Sequence, residues 1–383
     1  MFKKLPFFSK QEPKKELGID IGSTAVKVMD PDGVHYSSAY LDKYSVFDAD
    51  SYTEGVIKRG VDKALDRLES NYDFGKVLLS LPPSVFKAQT VVVTIDRERE
   101  GKISQQEKKD LLKKAKNQIK DRISSELGIL KKDLYFKNWE LIRINIDGYE
   151  VSKLKGYEGQ WVRLNFLVTY ILSDYISLKD IITERLDAEV ELIHPAQGIL
   201  KNKNQIQDGI YLDVGGEITH LFVVENQELK FAGDAKVGGE TFSQIIAENF
   251  NLSELRSKVL KERYSNEELS SELTQGIKEM LKDGKREWLN KVKEVLEGRK
   301  NKSLPSTLFL FGGGSKLIDI QTILKSERWK DFAFGKWTKS KSTFGGSTIV
   351  DSPEVKFLTP EKLGFDSLDI QFTPLSLIVN KSN

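Results

Sequence analysis

The sequence contains no cysteine and only three histidines. Disulfide bonds and thiolate chemistry are therefore excluded, and a histidine-rich metal site is not expected. No apolar run approaches the roughly 20 residues that span a bilayer. The N-terminus also lacks the apolar region of a signal peptide. These absences are compatible with a reducing cytoplasm.

Neither sign of charge dominates, because the chain has 59 basic and 57 acidic residues and a net charge of +2. This balance gives no global argument for a nucleic-acid partner. A hydrophobic content of 39% and a charged content of 30% are typical of a soluble globular protein. The length predicts roughly two or three domains with real cores.

The most informative stretch is LGIDIGSTAVKVM, residues 17–29, which indicates a strand, a tight glycine turn and a second strand. Asp20 ends the first strand. The turn and second strand offer backbone amides, hydroxyl groups and one positive charge, from Gly22, Ser23, Thr24 and Lys27. Consecutive amides form an anion site, and the neighbouring acid suits a phosphate that arrives with Mg²⁺. Alone, the same pattern is also typical of an ordinary β-hairpin.

The pattern returns in YLDVGGEITHLFVV, residues 211–224, and a third glycine turn follows in LFLFGGGSKL, residues 308–317. The acid, the glycine pair and the hydroxyl of the second hairpin are Asp213, Gly215, Gly216 and Thr219. The third turn contains Gly312, Gly313 and Gly314. Two facing hairpins of one design would hold a nucleotide's phosphates between two half-molecules. The third turn would let a base or ribose lie against bare backbone.

The sequence pattern changes between residues 85 and 174. The periodicity predicts strands over 88–95, 134–146 and 161–172, a loop over 147–160 and a long charged helix over 105–127. The lysine run of that helix is read as a solvated face. Because this α+β unit interrupts the main βα pattern, we expect an inserted subdomain.

Several other local features are predicted from spacing. A helix is expected over 52–70, Thr241 is expected to cap a helix over 242–250, and residues 351–362 are expected to form a loop. Gly345 and Gly346 indicate another turn. No long amphipathic helix is expected at the end of the chain.

The first 15 residues are basic with interleaved aromatics, and we read residues 1–16 as a flexible leader. Such a leader could enter a membrane surface, with apolar groups inserted and lysines at anionic headgroups. Pro6 and Pro13 argue against a continuous helix. A disordered leader without membrane contact is the alternative.

The repeated hairpins, the helix entered at Pro195 and the late glycine turn together resemble the ATPase fold shared by actin, heat-shock chaperones and sugar kinases. The insert follows the strand in VLLSLPPS, residues 77–84, within the first half. That position, and the stretch over residues 146–171, resemble the bacterial actin-like proteins of cell division (FtsA type) and of type IV pilus assembly (PilM type). The resemblance covers nearly everything from residue 17 to residue 379.

The resemblance implies an α/β protein with an actin-like ATPase fold, built from two RNase H-like halves and an inserted SHS2-like α+β subdomain. The first half would comprise residues 17–84 and 175–200, and the insert residues 85–174. The second half would comprise residues 201–383, with a helical subdomain at about residues 240–304.

The resemblance also implies site roles. Asp20 and Asp213 would hold Mg²⁺, through water, beside ATP. Phosphates would contact both hairpins, and the nucleoside would contact Gly312, Gly313 and Gly314. The helix at Pro195 normally begins with a Glu or Gln that orients the attacking water, but this sequence has His194 there, with Gln197 nearby.

The histidine in place of the usual Glu or Gln affects how fast ATP would be hydrolysed. An imidazole can accept a proton or hold water, so His194 joins Asp20 and Asp213 as a catalytic candidate. A structural role is the alternative for both His194 and His220. ATP binding is therefore better supported than fast hydrolysis, and a slow ATPase is all that the sequence suggests.

The function that follows is nucleotide-dependent assembly or partner docking at the inner face of the cytoplasmic membrane. Nucleotide would bias two conformations, and the insert would present the partner or self-association surface. The inserted domain favours cell division of the FtsA type, which we place marginally first. The basic leader favours type IV pilus assembly, which is the alternative. Nucleic acid is not an expected partner.

Two other classes stay open. A small-molecule kinase would need a sugar pocket with a catalytic base, for which no motif is evident. A non-nucleotide scaffold would keep the hairpins as relics, and the joint presence of Asp20, Lys27 and Asp213 argues against it.

Overall fold

The computed structural model describes residues 15–41, 54–68, 74–82, 84–98, 100–202, 204–297, 303–337, 347–366 and 368–379. The predicted leader, up to residue 14, and the turn at Gly345 and Gly346 lie outside the described residues. Among the helices of the described ranges, none combines the length and the apolar character that crossing a bilayer requires.

Runs of one to three strands are separated by helices, and four helices, α5 to α8, follow one another in the second half. The strands are β1 (Lys15–Ile21), β2 (Ala25–Met29), β3 (Tyr36–Tyr40), β4 (Phe74–Ser80), β5 (Phe86–Asp96), β6 (Leu134–Ile146), β7 (Tyr149–Val151), β8 (Trp161–Leu172), β9 (Glu189–Leu192), β10 (Gly209–Val214), β11 (Thr219–Glu225), β12 (Glu228–Ala235), β13 (Leu304–Pro305), β14 (Thr307–Phe311), β15 (Phe334–Trp337), β16 (Ser347–Val350) and β17 (Glu354–Phe357). The helices are α1 (Glu54–Asp66), α2 (Gln105–Leu127), α3 (Ser177–Leu186), α4 (Pro195–Lys201), α5 (Gly239–Phe250), α6 (Glu254–Ser265), α7 (Ser271–Met280), α8 (Lys282–Leu296), α9 (Ile318–Ser326) and α10 (Thr373–Ile378).

Two five-stranded sheets have the same design. The first has the order β3-β2-β1-β4-β9 and the second the order β12-β11-β10-β14-β17. In each, the first strand of a hairpin pairs antiparallel with the next strand and parallel with a later one. Alternating apolar residues bury one sheet face under α1 and α3 in the first half, and under α5, α8 and α9 in the second. The repeat seen in the sequence is therefore a repeat of the fold.

Each half has its own hydrophobic core, and a further core is shared between the two halves. It contains apolar residues from both sheets, from α4 and from the last helix, α10. Helix α10 contacts β1, β4 and α4, and it is a short buried helix rather than an exposed amphipathic one. This shared core fixes the two sheets at one end and leaves the hairpin turns to face each other.

The inserted unit forms a separate antiparallel sheet of order β5-β8-β6-β7. Helix α2 covers one face with a buried apolar stripe, Leu111, Ala115, Ile119 and Ile123. Ser104 caps its first turn by accepting from the Glu107 amide, and Gly128 ends it in the left-handed conformation. The predicted bounds of α2, β6 and β8 are confirmed, whereas the predicted loop over 147–160 contains β7.

Two predictions in the second half are wrong. The segment 351–362 contains strand β17, which pairs parallel with β14 instead of forming a loop. Thr241 does not cap α5, because that helix begins at Gly239 with Gly238 at the N-cap position. A side chain at Gly238 would lie 2.3 Å from the carbonyl oxygen of Gly216. The helix start is therefore set by close contact with the second hairpin.

Candidate functional site

Both glycine hairpins and the third glycine turn reach one cleft between the two halves. Its empty volume is about 1530 Å³, part of which is open to solvent. It is lined by the predicted residues Asp20, Gly22, Ser23, Thr24, Lys27, His194, Asp213, Gly215, Gly216, Gly312, Gly313 and Gly314. The fold therefore brings residues that are almost 300 positions apart in the sequence, from Asp20 to Gly314, into one concave site.

Asp20 and Lys27 face each other across the first hairpin. They are partners in the β1–β2 register, and the Lys27 ammonium donates to the Asp20 carboxylate at 2.8 Å. The Asp20 residue is only 7% exposed. A fixed cation and a fixed acid thus stand beside the first turn.

The two hairpins touch each other directly at their turns. The Glu217 amide donates to the Ser23 hydroxyl at 3.1 Å. A Cβ at Gly216 would lie 2.4 Å from the Thr24 methyl carbon and 2.6 Å from the Ser23 hydroxyl oxygen. Glycine is therefore required there for the turns to approach this closely.

The third turn is packed against the acid of the second hairpin. Gly312 has a φ of +81°, and a Cβ there would lie 2.2 Å from a carboxylate oxygen of Asp213. The Ser315 hydroxyl donates to the Gly312 carbonyl at 2.7 Å and closes the turn. Gly312 is therefore demanded both by its backbone conformation and by its neighbour.

Asp213 is buried, and burial raises its pKa to about 6 although His220 and Lys27 oppose that rise. Together with Asp20 it offers two carboxylates beside the hairpin amides. Within the part of the chain that the structure describes, no group of three or more acids or histidines could hold a metal. Mg²⁺ is commonly bound by one or two carboxylates together with substrate phosphates. The two acids therefore fit an ion that arrives with a nucleotide.

Thr219 does not line the cleft, and its predicted role in cofactor binding is corrected. The residue is fully buried. Its hydroxyl donates to the Val237 carbonyl at 2.8 Å and accepts from the Trp288 indole at 3.0 Å. Both partners lie in the second half, so this threonine fixes β11 in the core.

His194 is the N-cap of α4. Its Nδ1 accepts from the Ala196 amide at 3.1 Å, and the Gln197 side chain accepts from the His194 amide at 3.0 Å. Burial, with the nearby His220, lowers the pKa of His194 to about 3. The ring is therefore neutral with its proton on Nε2. The role of proton acceptor that the sequence suggested would need Nδ1, which the Ala196 amide occupies.

Acidification should test this protonation state. The unfolded histidine titrates near 6.5 and the folded one near 3, so below pH 6.5 only the unfolded state gains the proton. Relative to His194→Asn, which keeps a capping acceptor, the wild type should lose about 1.4 kcal/mol of stability per pH unit below about pH 6. Urea unfolding of both proteins between pH 7 and about pH 4.5 measures this difference. Parallel pH profiles would contradict a neutral His194.

The surroundings of the other cleft histidine, His220, favour the protonated ring. His220 Nδ1 lies 2.6 Å from a carboxylate oxygen of Asp234. Burial opposes a charge on the ring, but Asp234 outweighs it and raises the pKa of His220. The rings of His194 and His220 meet edge to face, with centroids 5.4 Å apart. The cleft floor thus holds two imidazoles whose pKa values are moved in opposite directions by their surroundings.

Helix α6 supplies a wall of the cleft that the sequence reasoning missed. The wall carries the side chains of Lys258, Lys261, Glu262, Ser265 and Asn266. Lys261 donates to the Gly239 carbonyl at 2.6 Å, and burial with the nearby Lys258 lowers its pKa to about 8. Across the mouth, the Tyr40 hydroxyl donates to Glu262 at 2.5 Å. The spacing of three and four residues between these charges on one helix was the available signal.

The chain was compared with known proteins. It is similar to a solved "PilM-PilN type IV pilus biogenesis complex", with 14% identity, a TM-score of 0.67, and 96% of this chain and 99% of that chain covered. It is also similar to the ethanolamine utilization protein EutJ from Carboxydothermus hydrogenoformans, with 13% identity, a TM-score of 0.48, and coverage of 97% and 91%. No family model and no curated protein sequence matches. The first likeness confirms the predicted fold: the chain has an actin-like ATPase fold.

Proposed function

We propose that the protein binds Mg-ATP in the cleft between its two halves and acts as an actin-like adaptor. In this role it docks partners at the inner face of the cytoplasmic membrane. The observation that carries the proposal is the convergence of both hairpins and the third glycine turn on one cleft. Because both halves line this cleft, a ligand bound there would contact both of them.

The phosphates would occupy the space between the two hairpins. Lys27 is the cation of the first hairpin, and Gly215 and Gly216 offer amides from the second. Asp20 and Asp213 would hold Mg²⁺ together with the phosphates, and the ion would neutralise phosphate charge. The base and ribose would lie between the third turn and the α6 wall, where Lys261 and Glu262 offer polar contacts.

Turnover in this site would be slow. His194 stands where a water-orienting side chain is expected, but its Nδ1 is occupied and its proton is on Nε2. It can therefore position water but cannot accept its proton. The bound nucleotide then acts mainly as a conformational signal, because ATP and ADP differ in their contacts with the hairpins.

Type IV pilus assembly is the role that we place first. It is supported by the likeness to a PilM-PilN complex over nearly the full length of both chains and by the basic leader before β1. Cell division of the FtsA type is the second candidate, supported by the sequence of the insert. A small-molecule kinase is the third candidate, and we place it last because the sequence offers no motif for a sugar pocket.

Replacing Lys27 by methionine should weaken Mg-ATP binding at least about tenfold, because it removes a charged hydrogen bond and leaves Asp20 uncompensated. Lys76→Met is the matched control. Lys76 also lies in the first sheet and pairs with Glu191 at 2.8 Å, but it does not line the cleft. Displacement of a fluorescent ATP analogue measures both affinities. Equal losses in the two variants would contradict a phosphate site at the first hairpin.

The adaptor role is tested by sedimentation of the full chain with vesicles that contain anionic lipid, in ATP and in ADP. We expect more protein in the pellet with ATP, with the ATP-dependent part lost in Lys27→Met. Recovery of the protein in the supernatant under every condition would count against membrane docking. Binding that ignores the nucleotide would count against a nucleotide-controlled adaptor.

A further inference from the structure

The inserted subdomain reaches the floor of the cleft through two polar links, each with one intermediate residue. In the first, Lys87 of β5 donates to Asp234 of β12 at 3.0 Å, and Asp234 pairs with His220. In the second, the Gln197 amide group donates to Glu140 of β6 at 3.1 Å, and the Gln197 oxygen accepts from the His194 amide. Both links end at the two histidines that meet in the cleft.

The first link is shielded from solvent. The side chains of Lys87, Asp234 and His220 are 19%, 17% and 6% exposed. Burial alone would raise the pKa of Asp234, but the His220 charge and Lys87 outweigh it and hold that pKa below its usual range. Charges in such surroundings are costly to separate. If β11 moves at His220, the ion pairs either oppose that movement or carry it to Lys87 of the insert.

The second link starts from the helix cap. Gln197 is 4% exposed and uses both ends of its amide, one on the cap of α4 and one on Glu140. A movement of the α4 start therefore changes the contact with β6. Since β5 and β6 both pair with β8, both links enter one continuous sheet.

We propose that these two links couple the position of the inserted subdomain to occupancy of the cleft, with the His194–His220 pair as the junction. This inference rests on the proposed function of the cleft as a nucleotide site. Coupling between sites is reciprocal. A partner that shifts the insert therefore changes nucleotide affinity by the same factor that the nucleotide changes the partner's affinity.

Another contact between the insert and β12 of the second half provides a matched control for the first link. Arg143 of β6 donates to Glu228 of β12 at 2.7 Å, and neither residue lines the cleft. Arg143→Met therefore weakens the junction between the insert and the second half without touching either histidine link. Lys87→Met removes a cation from the same junction but breaks the first link.

The first readout needs no ligand. The chain has only three histidines, so their ring resonances can be assigned by single substitutions. Lys87→Met should shift the His220 ring resonances, and Glu140→Leu should shift those of His194, whereas Arg143→Met should leave both unchanged. Lys87→Arg should restore the His220 signals. His35 reports whether the rest of the fold is intact.

The second readout is Mg-ATP affinity by calorimetry. Lys87→Met should weaken it about fivefold, at the lower end of measured coupling between sites, and Arg143→Met by less than about twofold. In an Asp234→Asn background, Lys87→Met should have no further effect, because the link is already broken. Additive losses in that background would overturn the coupling.

The two proposals fail separately. Histidine resonances that ignore both Lys87→Met and Glu140→Leu would overturn the coupling whether or not nucleotide binds. Shifted resonances in a protein that binds no nucleotide would support the links and overturn the proposed function instead. Shifted resonances with equal Mg-ATP affinity in Lys87→Met and wild type would overturn the coupling to occupancy.

Discussion

Replacing Arg97 by methionine should lower the stability of the inserted subdomain by about 3–5 kcal/mol, since it breaks a buried ion pair from one side. The Arg97 side chain is 1% exposed. It holds Glu107 of α2 with two hydrogen bonds, of 2.8 and 3.0 Å, and also donates to the Gly159 and Gly101 carbonyls. Without it, two loop carbonyls and the Glu107 carboxylate, whose side chain is only 9% exposed, lose this donor.

Hydrogen exchange of the α2 and β8 amides measures this loss within the insert. Lys114→Met is the control, because Lys114 and Glu98 form an exposed pair at 4.0 Å in the same subdomain. That variant should stay within about 0.5 kcal/mol of wild type. If Arg97→Met exchanged no faster than Lys114→Met, the buried pair would not hold α2 to the sheet.

Replacing Gly312 by valine should destabilise the second half and abolish nucleotide binding together. The backbone there has a φ of 81° and a ψ of 165°, a region essentially restricted to glycine. A side chain there costs about 1–3 kcal/mol, and overpacking adds about 1–3 kcal/mol. The added Cβ would lie 2.2 Å from Asp213 and 2.8 Å from the Val214 carbonyl. Asp213 and the third glycine turn must therefore move apart. Because both line the cleft, the nucleotide site is disrupted at two places.

Thermal unfolding and Mg-ATP titration report the two effects. Gly276→Ala is the opposite case, because Gly276 lies within α7 with open space where a Cβ would be. It should stabilise the helix by about 0.5–1 kcal/mol and leave binding unchanged. A Gly312→Val protein with wild-type stability would contradict the close packing of the third turn against Asp213.

Elements governed by local rules were predictable from the sequence. Helix α2 has a continuous apolar stripe between a serine cap and a left-handed glycine, so its bounds followed from periodicity. Strands β6 and β8 are long and rich in β-branched and aromatic residues, and their bounds also followed. The repeated hairpins predicted the repeated sheets, because each carries its turn and its acid within a few residues.

Features set by contacts between distant segments were not predictable. Strand β17 has only four residues and becomes a strand through its pairing with β14. The start of α5 depends on the approach of Gly238 to the second hairpin. Thr219 matched the hairpin pattern, but its hydroxyl is taken by Trp288 of a helix far along the chain. The sequence pattern showed residue types but not which way each faces.

The candidate site likewise combines features that local sequence rules predict with features that only the fold shows. The sequence located the glycine turns and their acids, because close backbone approach demands glycine at fixed offsets. It missed the α6 wall, because only the fold shows that one face of this charged helix lines the cleft. It also left the state of His194 open, because that state depends on the Ala196 amide and on burial against Phe86.

Calorimetric titration of the wild type and of Asp213→Ala with ATP, in the presence of Mg²⁺, tests the central claim most directly. The account predicts a micromolar dissociation constant for the wild type, weakened at least about tenfold by the substitution. Wild-type protein that binds no nucleotide would contradict it. The paired hairpins would then be structural relics of the fold, and the inserted subdomain would be the functional part to pursue.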